Sequence, residues 1–120
     1  MIMYIVNKNK MSQQYQPSKS SLRADTVVEF VNKSLLEFKM KEIPGMGPAS
    51  IDKFKDHGIY TPAQILAKFL SYVDSPDAKA IDVCNGFYDW ASPIMGKANT
   101  HNLTFAMANY CGEHGLFKYE

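Results

Sequence analysis

Apolar residues recur every three or four positions along most of this chain, and the runs are separated by Gly, Pro and Ser/Thr punctuation. Val27, Phe30, Val31, Ser34, Leu35 and Phe38 fall on one side of a helix. Thr26 and Glu29 form a T-x-x-E capping box, so this helix is predicted to begin at Thr26. Its pattern runs to about residue 40 or breaks in the middle. Pro48 suits the first position of a second helix, with Ile51 and Phe54 inward and Gly58 as a left-handed stop. Thr61, Pro62 and Gln64 open a third, strongly apolar helix through Ile65, Leu66, Phe69, Leu70 and Val73. A fourth is predicted from Ser75–Pro76, with Ile81, Cys84, Tyr88 and Ala91 as its buried stripe, broadened by Phe87 and Trp90, and Ser92–Pro93 as its end. A last helix starts between Lys97 and Asn102 and runs through Leu103, Phe105, Met107 and Tyr110 to Gly112. No stretch alternates as a strand does, so the expectation is an all-α bundle of about five short helices.

Residues 1–24 are rich in Asn, Lys, Ser and Gln, without periodicity, and read as a disordered extension; residues 25–120 read as one helical domain. A folded part of under about a hundred residues makes a marginal core, which a partner subunit would help. Seven Phe, seven Tyr and one Trp can furnish that core. The opening MIMYIVNK is too short to span a membrane and is not an export signal, so an intracellular protein without membrane insertion is expected.

Net charge is +1, which gives no global basic signature. The distribution is uneven. Residues 1–60 carry nine Lys or Arg against six Asp or Glu, and residues 61–120 carry four against six. This permits a basic face in the first half. Cys84 and Cys111 sit among apolar neighbours and read as small buried thiols.

Residues 42–48 read EIPGMGP. Two glycines one residue apart, fenced by prolines, join a helix ending near Ile43 to another starting at Pro48. Glycine lets a bulky polyanion approach the main chain. The amides that follow belong to a helix start, where they are unpaired and favoured by the dipole. The arrangement is an anion site that needs no basic side chain, and Lys53 further along the helix can reach an adjacent phosphate. Ile43-Pro-Gly-x-Gly before a helix is the helix-hairpin-helix signature, here at about residues 34–58, which binds sugar-phosphate backbone and ignores base sequence. A second reading is a tight helix corner whose glycines only solve a packing problem, as in SAM-like interaction modules.

From about Thr26 to Phe117 the chain resembles the barrier-to-autointegration factor family. The resemblance rests on Phe30–Val31 set fifteen residues before Gly45, the run IPGMGPASIDKFKDHGI, then ILAKFL, FYDW and MGKAN in order. It implies a small helical homodimer that bridges two double helices without reading sequence, in nucleus and cytoplasm, with a role in chromatin organisation. The implied DNA contacts are Gly45, Met46, Gly47, Ala49, Ser50 and Lys53, with Arg23 before the first helix and Lys97 at the start of the last. The implied dimer interface is the third helix, through Leu66, Ala67 and Leu70. A separate groove would bind LEM-domain proteins. The chain departs from the family at the last helix, where KANTHNL offers only Lys97 and His101 as basic groups. Fewer cationic contacts imply weaker, more salt-sensitive DNA binding, and an alternative in which the dimer is mainly a protein-interaction adaptor.

No cofactor is expected. Cys111 and His114 have a C-x-x-H spacing, but only scattered His57, Cys84 and His101 remain to complete four ligands. No phosphate-binding P-loop, paired-carboxylate arrangement or G-x-S-x-G elbow appears, so a nonenzymatic protein is expected.

Overall fold

The computed structural model describes residues 15–116. Five α-helices carry the fold: α1 (Ala24–Val31), α2 (Pro48–Asp56), α3 (Pro62–Leu70), α4 (Ala80–Met95) and α5 (Lys97–Glu113). Three short 3-10 turns, Pro17–Lys19, Leu35–Glu37 and Met40–Glu42, complete the order among the described residues. Among the described residues there is no strand.

Helix α5 is the central element. The Pro17–Lys19 turn, α1 and α4 all pack on it, while α2 and α3 pack on α4. A helix surrounded in this way has no polar face to spare, and nine residues of α5 between Thr100 and Cys111 are buried. The core joins Phe30, Phe54, Phe69, Phe87, Leu103 and Met107 from all five helices. Removing one such aromatic side chain from water stabilises the fold by roughly 1.5–3 kcal/mol.

The capping signals in the middle of the chain are realised. Pro48 is the first residue of α2, after the N-cap Gly47. At the other end, Gly58 takes φ +79°, its amide bonds to the Lys55 carbonyl and the Ile59 amide to the Phe54 carbonyl. This is a Schellman stop, and its accompanying apolar contact is supplied by the buried pair Phe54 and Ile59. Thr61 and Gln64 form the expected reciprocal box at the start of α3: the Gln64 amide donates to Thr61 Oγ1, and the Thr61 amide donates to Gln64 Oε1.

Elsewhere tertiary contacts override the local pattern. The T-x-x-E box at Thr26 does not form; α1 starts two residues earlier, with Arg23 as N-cap, and the Thr26 amide bonds to the neighbouring Asp25 side chain. The helix then stops at Val31, so of the two expectations the break in the middle is the one that holds. His114 Nε2 donates to the Val31 carbonyl at 2.8 Å, and the Leu35 amide donates to the Tyr110 hydroxyl at 2.9 Å. These two contacts satisfy groups that a continuous helix would have paired internally, while Ser34 and Glu37 cap the 3-10 turn that follows. The segment before the glycine turn is therefore a pair of 3-10 turns, where an α-helix was expected.

Helix α4 begins at Ala80, not at Ser75–Pro76, which form a turn. Its stripe is Val83, Cys84, Phe87, Tyr88 and Ala91, and Ile81, expected inside, is 41% exposed. Pro93 does not end the helix. It sits in the last turn, where the chain runs on to Met95 and the Gly96 amide still bonds to the Ser92 carbonyl.

The disordered extension requires correction over its described part. Tyr15 is buried, and Ser20 and Ser21 are bound to α5 through Asn102. Residues 1–14 lie outside the described residues.

Candidate nucleic-acid interface

The turn at residues 43–47 is pinned from below. Ile43 and Met46 are both buried, and the Met46 amide bonds to the Ile43 carbonyl at 3.0 Å. Gly45 between them has φ +86°. A Cβ placed on Gly45 would lie 2.6 Å from the Asn99 carbonyl oxygen and 3.2 Å from the Leu103 amide nitrogen. Glycine is thus demanded twice there, by backbone conformation and by the close approach of α5.

Gly47 has neither reason. Its φ of −90° and ψ of 175° are extended backbone open to any residue, and nothing lies within 4 Å of an added Cβ. It is exposed, and it is the N-cap of α2. At the two box-capped starts, side chains cover the first amides: Ser34 accepts from the Leu36 amide and Thr61 from the Gln64 amide. Gly47 has no oxygen to offer. The amides of Gly47, Ala49 and Ser50 enter no hydrogen bond among the described residues. Unpaired amides at the positive end of a helix dipole form a donor site for an anion.

The residues expected at this surface divide. Gly47, Ala49 and Lys53 are exposed together along the start of α2. Ser50 is buried, and its amide has no partner among the described residues. Met46 does not qualify as a contact, because its side chain is buried and its amide is already bonded. Gly45 is half-buried against α5 and acts as the joint rather than the contact. Lys97 is exposed at the first position of α5, the helix whose Asn99 and Leu103 meet the glycine turn.

The N-terminal segment reaches the same helix. Asn102 Oδ1 accepts from the Ser21 amide at 2.8 Å and from Ser20 Oγ at 3.1 Å, while Asn102 Nδ2 donates to Ser21 Oγ at 3.0 Å. Lys19 is exposed and lies close enough to influence His101 on α5. The structure therefore gathers the glycine turn, the start of α5 and the segment before α1. Arg23 belongs to that segment, and its guanidinium faces Asp25 at 3.0 Å with both side chains well exposed. Such a pair is worth little in water and leaves Arg23 available to a stronger anion.

His101 is not a surface cation. It is 6% exposed, lies close to the rings of Tyr88 (4.6 Å) and Tyr15 (6.1 Å), and its Nδ1 has no partner among the described residues. Burial, with Lys19 and Lys97 nearby, holds its pKa below the ordinary histidine value. Lys19 stands with Arg23 as an exposed cation of the N-terminal segment. Asn102 is not legible in the sequence, because a single asparagine in KANTHNL carries no signal until its partners at Ser20 and Ser21 are seen.

On α3, Leu66 and Leu70 are half-buried against the core and Ala67 is exposed. The 3-10 turn Leu35–Glu37 packs on this helix, and its Leu36 is 81% exposed. Trp90 is half-buried, 5.6 Å from the Phe54 ring and 5.8 Å from the Phe87 ring, with the Lys68 ammonium 4.8 Å above its face. It is a packing residue with a cation-π cover.

Cys84 and Cys111 are free and buried in the core, and burial pushes both thiols up to about 12. His114 stacks on Tyr110 at 4.1 Å. Among the described residues, no three His, Cys, Asp or Glu side chains come together in a way that could hold a metal ion, and no helix is long and apolar enough to cross a membrane. No protein-family model, curated protein or solved structure matches the chain.

Proposed function

We propose that this protein binds double-stranded DNA without regard to sequence, as a nonenzymatic homodimer whose two glycine turns bridge separate duplexes. The reading assigns it a part in chromatin or nuclear organisation. The observation that carries it is Gly47. Neither backbone angle nor packing requires glycine there, and a serine or aspartate in its place would cap α2. Glycine leaves the amides of Gly47, Ala49 and Ser50 without a partner among the described residues, and nothing lies within 4 Å of a Cβ placed on Gly47. A phosphate oxygen is an acceptor of matching charge, and a backbone that repeats every few ångströms presents it irrespective of base.

Lys53 supplies a cation on the same helix, and Lys97, Lys19 and Arg23 supply three more from the adjoining segments. Four cations are a modest set, so few phosphates are neutralised and binding is weak at physiological salt. The homodimer is assigned to α3, where exposed Ala67 and Leu36 leave an apolar face beside half-buried Leu66 and Leu70. The same apolar face favours a second reading, a dimeric adaptor for helical partners of the LEM-domain type with little DNA binding.

A mobility-shift series on random duplex, starting at about 50 mM salt, separates the two readings. Gly47→Ser is the informative variant, because its hydroxyl caps α2 with no change of charge. The expected result is a weaker shift with an unchanged or raised melting temperature. Equal retardation of wild type and variant overturns the turn as the contact. No shift for wild type at low salt, with a helical partner retained, supports the adaptor.

A further inference from the structure

A cavity of about 240 Å³ is lined by α1 and by the chain that leads into the glycine turn. From α1 come Glu29, Phe30 and Lys33, which share a face because Lys33 lies three and four residues beyond the other two. From the following segment come Phe38, Glu42 and Pro44. Both walls are held in place. Phe30 is buried, and its ring centre lies 5.1 Å from that of Phe38. The turn before Phe38 is capped by Ser34 and Glu37 and tied to α5 through the Leu35 amide and the Tyr110 hydroxyl. Glu42 Oε1 accepts from the Lys39 amide at 2.7 Å, which fixes the carboxylate and leaves Oε2 without a partner among the described residues.

The lining sorts the possible occupants. The volume is below the roughly 300–1,000 Å³ of a small-molecule or cofactor pocket and suits a single side chain. Two carboxylates stand against one ammonium, so the lining carries a net negative charge and disfavours an anion. Lys33 shows which charge the aromatic wall attracts. Glu29 precedes it by four residues, in the order that favours an ion pair, yet none joins the two among the described residues. The Lys33 ammonium lies instead 5.8 Å from the centre of the Phe38 ring. The chain's own cation is thus drawn to the ring, and both carboxylates keep acceptor oxygens for another.

We propose that this cavity takes an arginine side chain of a partner protein, with its guanidinium on the Phe38 ring and its donors on Glu29 and Glu42. Arginine suits the lining better than lysine. Its planar guanidinium stacks on an aromatic face and carries donors along two edges, so one group serves the ring and both carboxylates. Lys33 is exposed, and it turns to water when arginine enters. None of Gly47, Ala49 and Ser50 lines the cavity, so the site does not depend on what their amides bind.

The test is an NMR titration of the full chain with the peptide acetyl-Gly-Arg-Gly-amide, following the backbone amides of Glu29, Lys33, Phe38 and Glu42. Matched peptides carry lysine or citrulline in place of arginine; citrulline keeps the shape and loses the charge. The expected result is saturable shifts at these four amides with arginine, binding several-fold weaker with lysine, and none with citrulline. Glu29→Gln should weaken arginine binding several-fold, and Lys33→Gln should tighten it. Lys41→Gln makes the same change of net charge at an exposed position outside the cavity, and should leave affinity nearly unchanged. All three positions are exposed, so the melting temperature should hold in each variant. Equal shifts with citrulline, equal binding of lysine, or equal tightening by Lys33→Gln and Lys41→Gln overturns the proposal. Random duplex DNA that shifts the same four amides also overturns it, since the cavity would then belong to a nucleic-acid surface.

Discussion

Gly45 and Asn99 are in backbone contact: a single methyl group on Gly45 would press to 2.6 Å from the Asn99 carbonyl oxygen. The contact joins the glycine turn to the first turns of the last helix, and it distinguishes the two glycines of the motif. Gly45 serves the fold and Gly47 serves the surface.

Alanine substitutions should separate these roles. Gly45→Ala meets a positive φ and a backbone clash, and each costs of order 1–3 kcal/mol. A loss of about 2 kcal/mol or more is expected in urea unfolding. Gly47→Ala meets nothing and should stay within about 0.5 kcal/mol of wild type, while weakening the duplex mobility shift. Equal losses of stability at both positions would contradict the division.

Asn102→Ala removes the side chain that holds Ser20 and Ser21. Residues 15–22 should loosen while the helical core persists. Trypsin should then cut after Lys19 and Arg23 several-fold faster, with melting of the helices changed by only about 1 kcal/mol.

Tyr110→Phe deletes the hydroxyl that accepts the buried Leu35 amide. The amide then has no acceptor, at a cost of about 1–3 kcal/mol. Loss of helix signal in a thermal scan measures it. A shift of zero would mean the segment after α1 re-pairs on its own.

The thiols of Cys84 and Cys111, pushed up to about 12 by burial, hold almost no thiolate near neutrality. A disulfide-exchange reagent at about pH 8 should leave both unmodified in the native protein and label both in denaturant. Modification will rise with pH only as the fold opens, since the raised values belong to the buried state.

A charge at the centre of α3 tests the dimer. Ala67→Glu places a carboxylate on an exposed position, so the isolated fold should tolerate it. Sedimentation is expected to show a monomer for the variant and a dimer for wild type, with DNA binding weakened through loss of bivalency.

The amino-acid sequence determined the features that depend on a few adjacent residues. Pro48 at the head of α2, the Gly58 stop and the Thr61–Gln64 box each close hydrogen bonds within one turn of chain, so their chemistry is complete in the local text. The five-helix, all-α pattern followed from the same short-range periodicity. Only tertiary structure decided the rest. The break in the first helix was decided by His114 and Tyr110, which satisfy Val31 and Leu35 across 83 and 75 positions of sequence. His101 looked like a surface cation until burial beside Tyr15 and Tyr88 was seen, and a disordered-looking segment proved to be bonded to α5 through Asn102. The difference between Gly45 and Gly47 was likewise invisible, since it depends on which glycine faces another helix. Such outcomes turn on how helices stack, and stacking sums many weak contacts that no local pattern encodes.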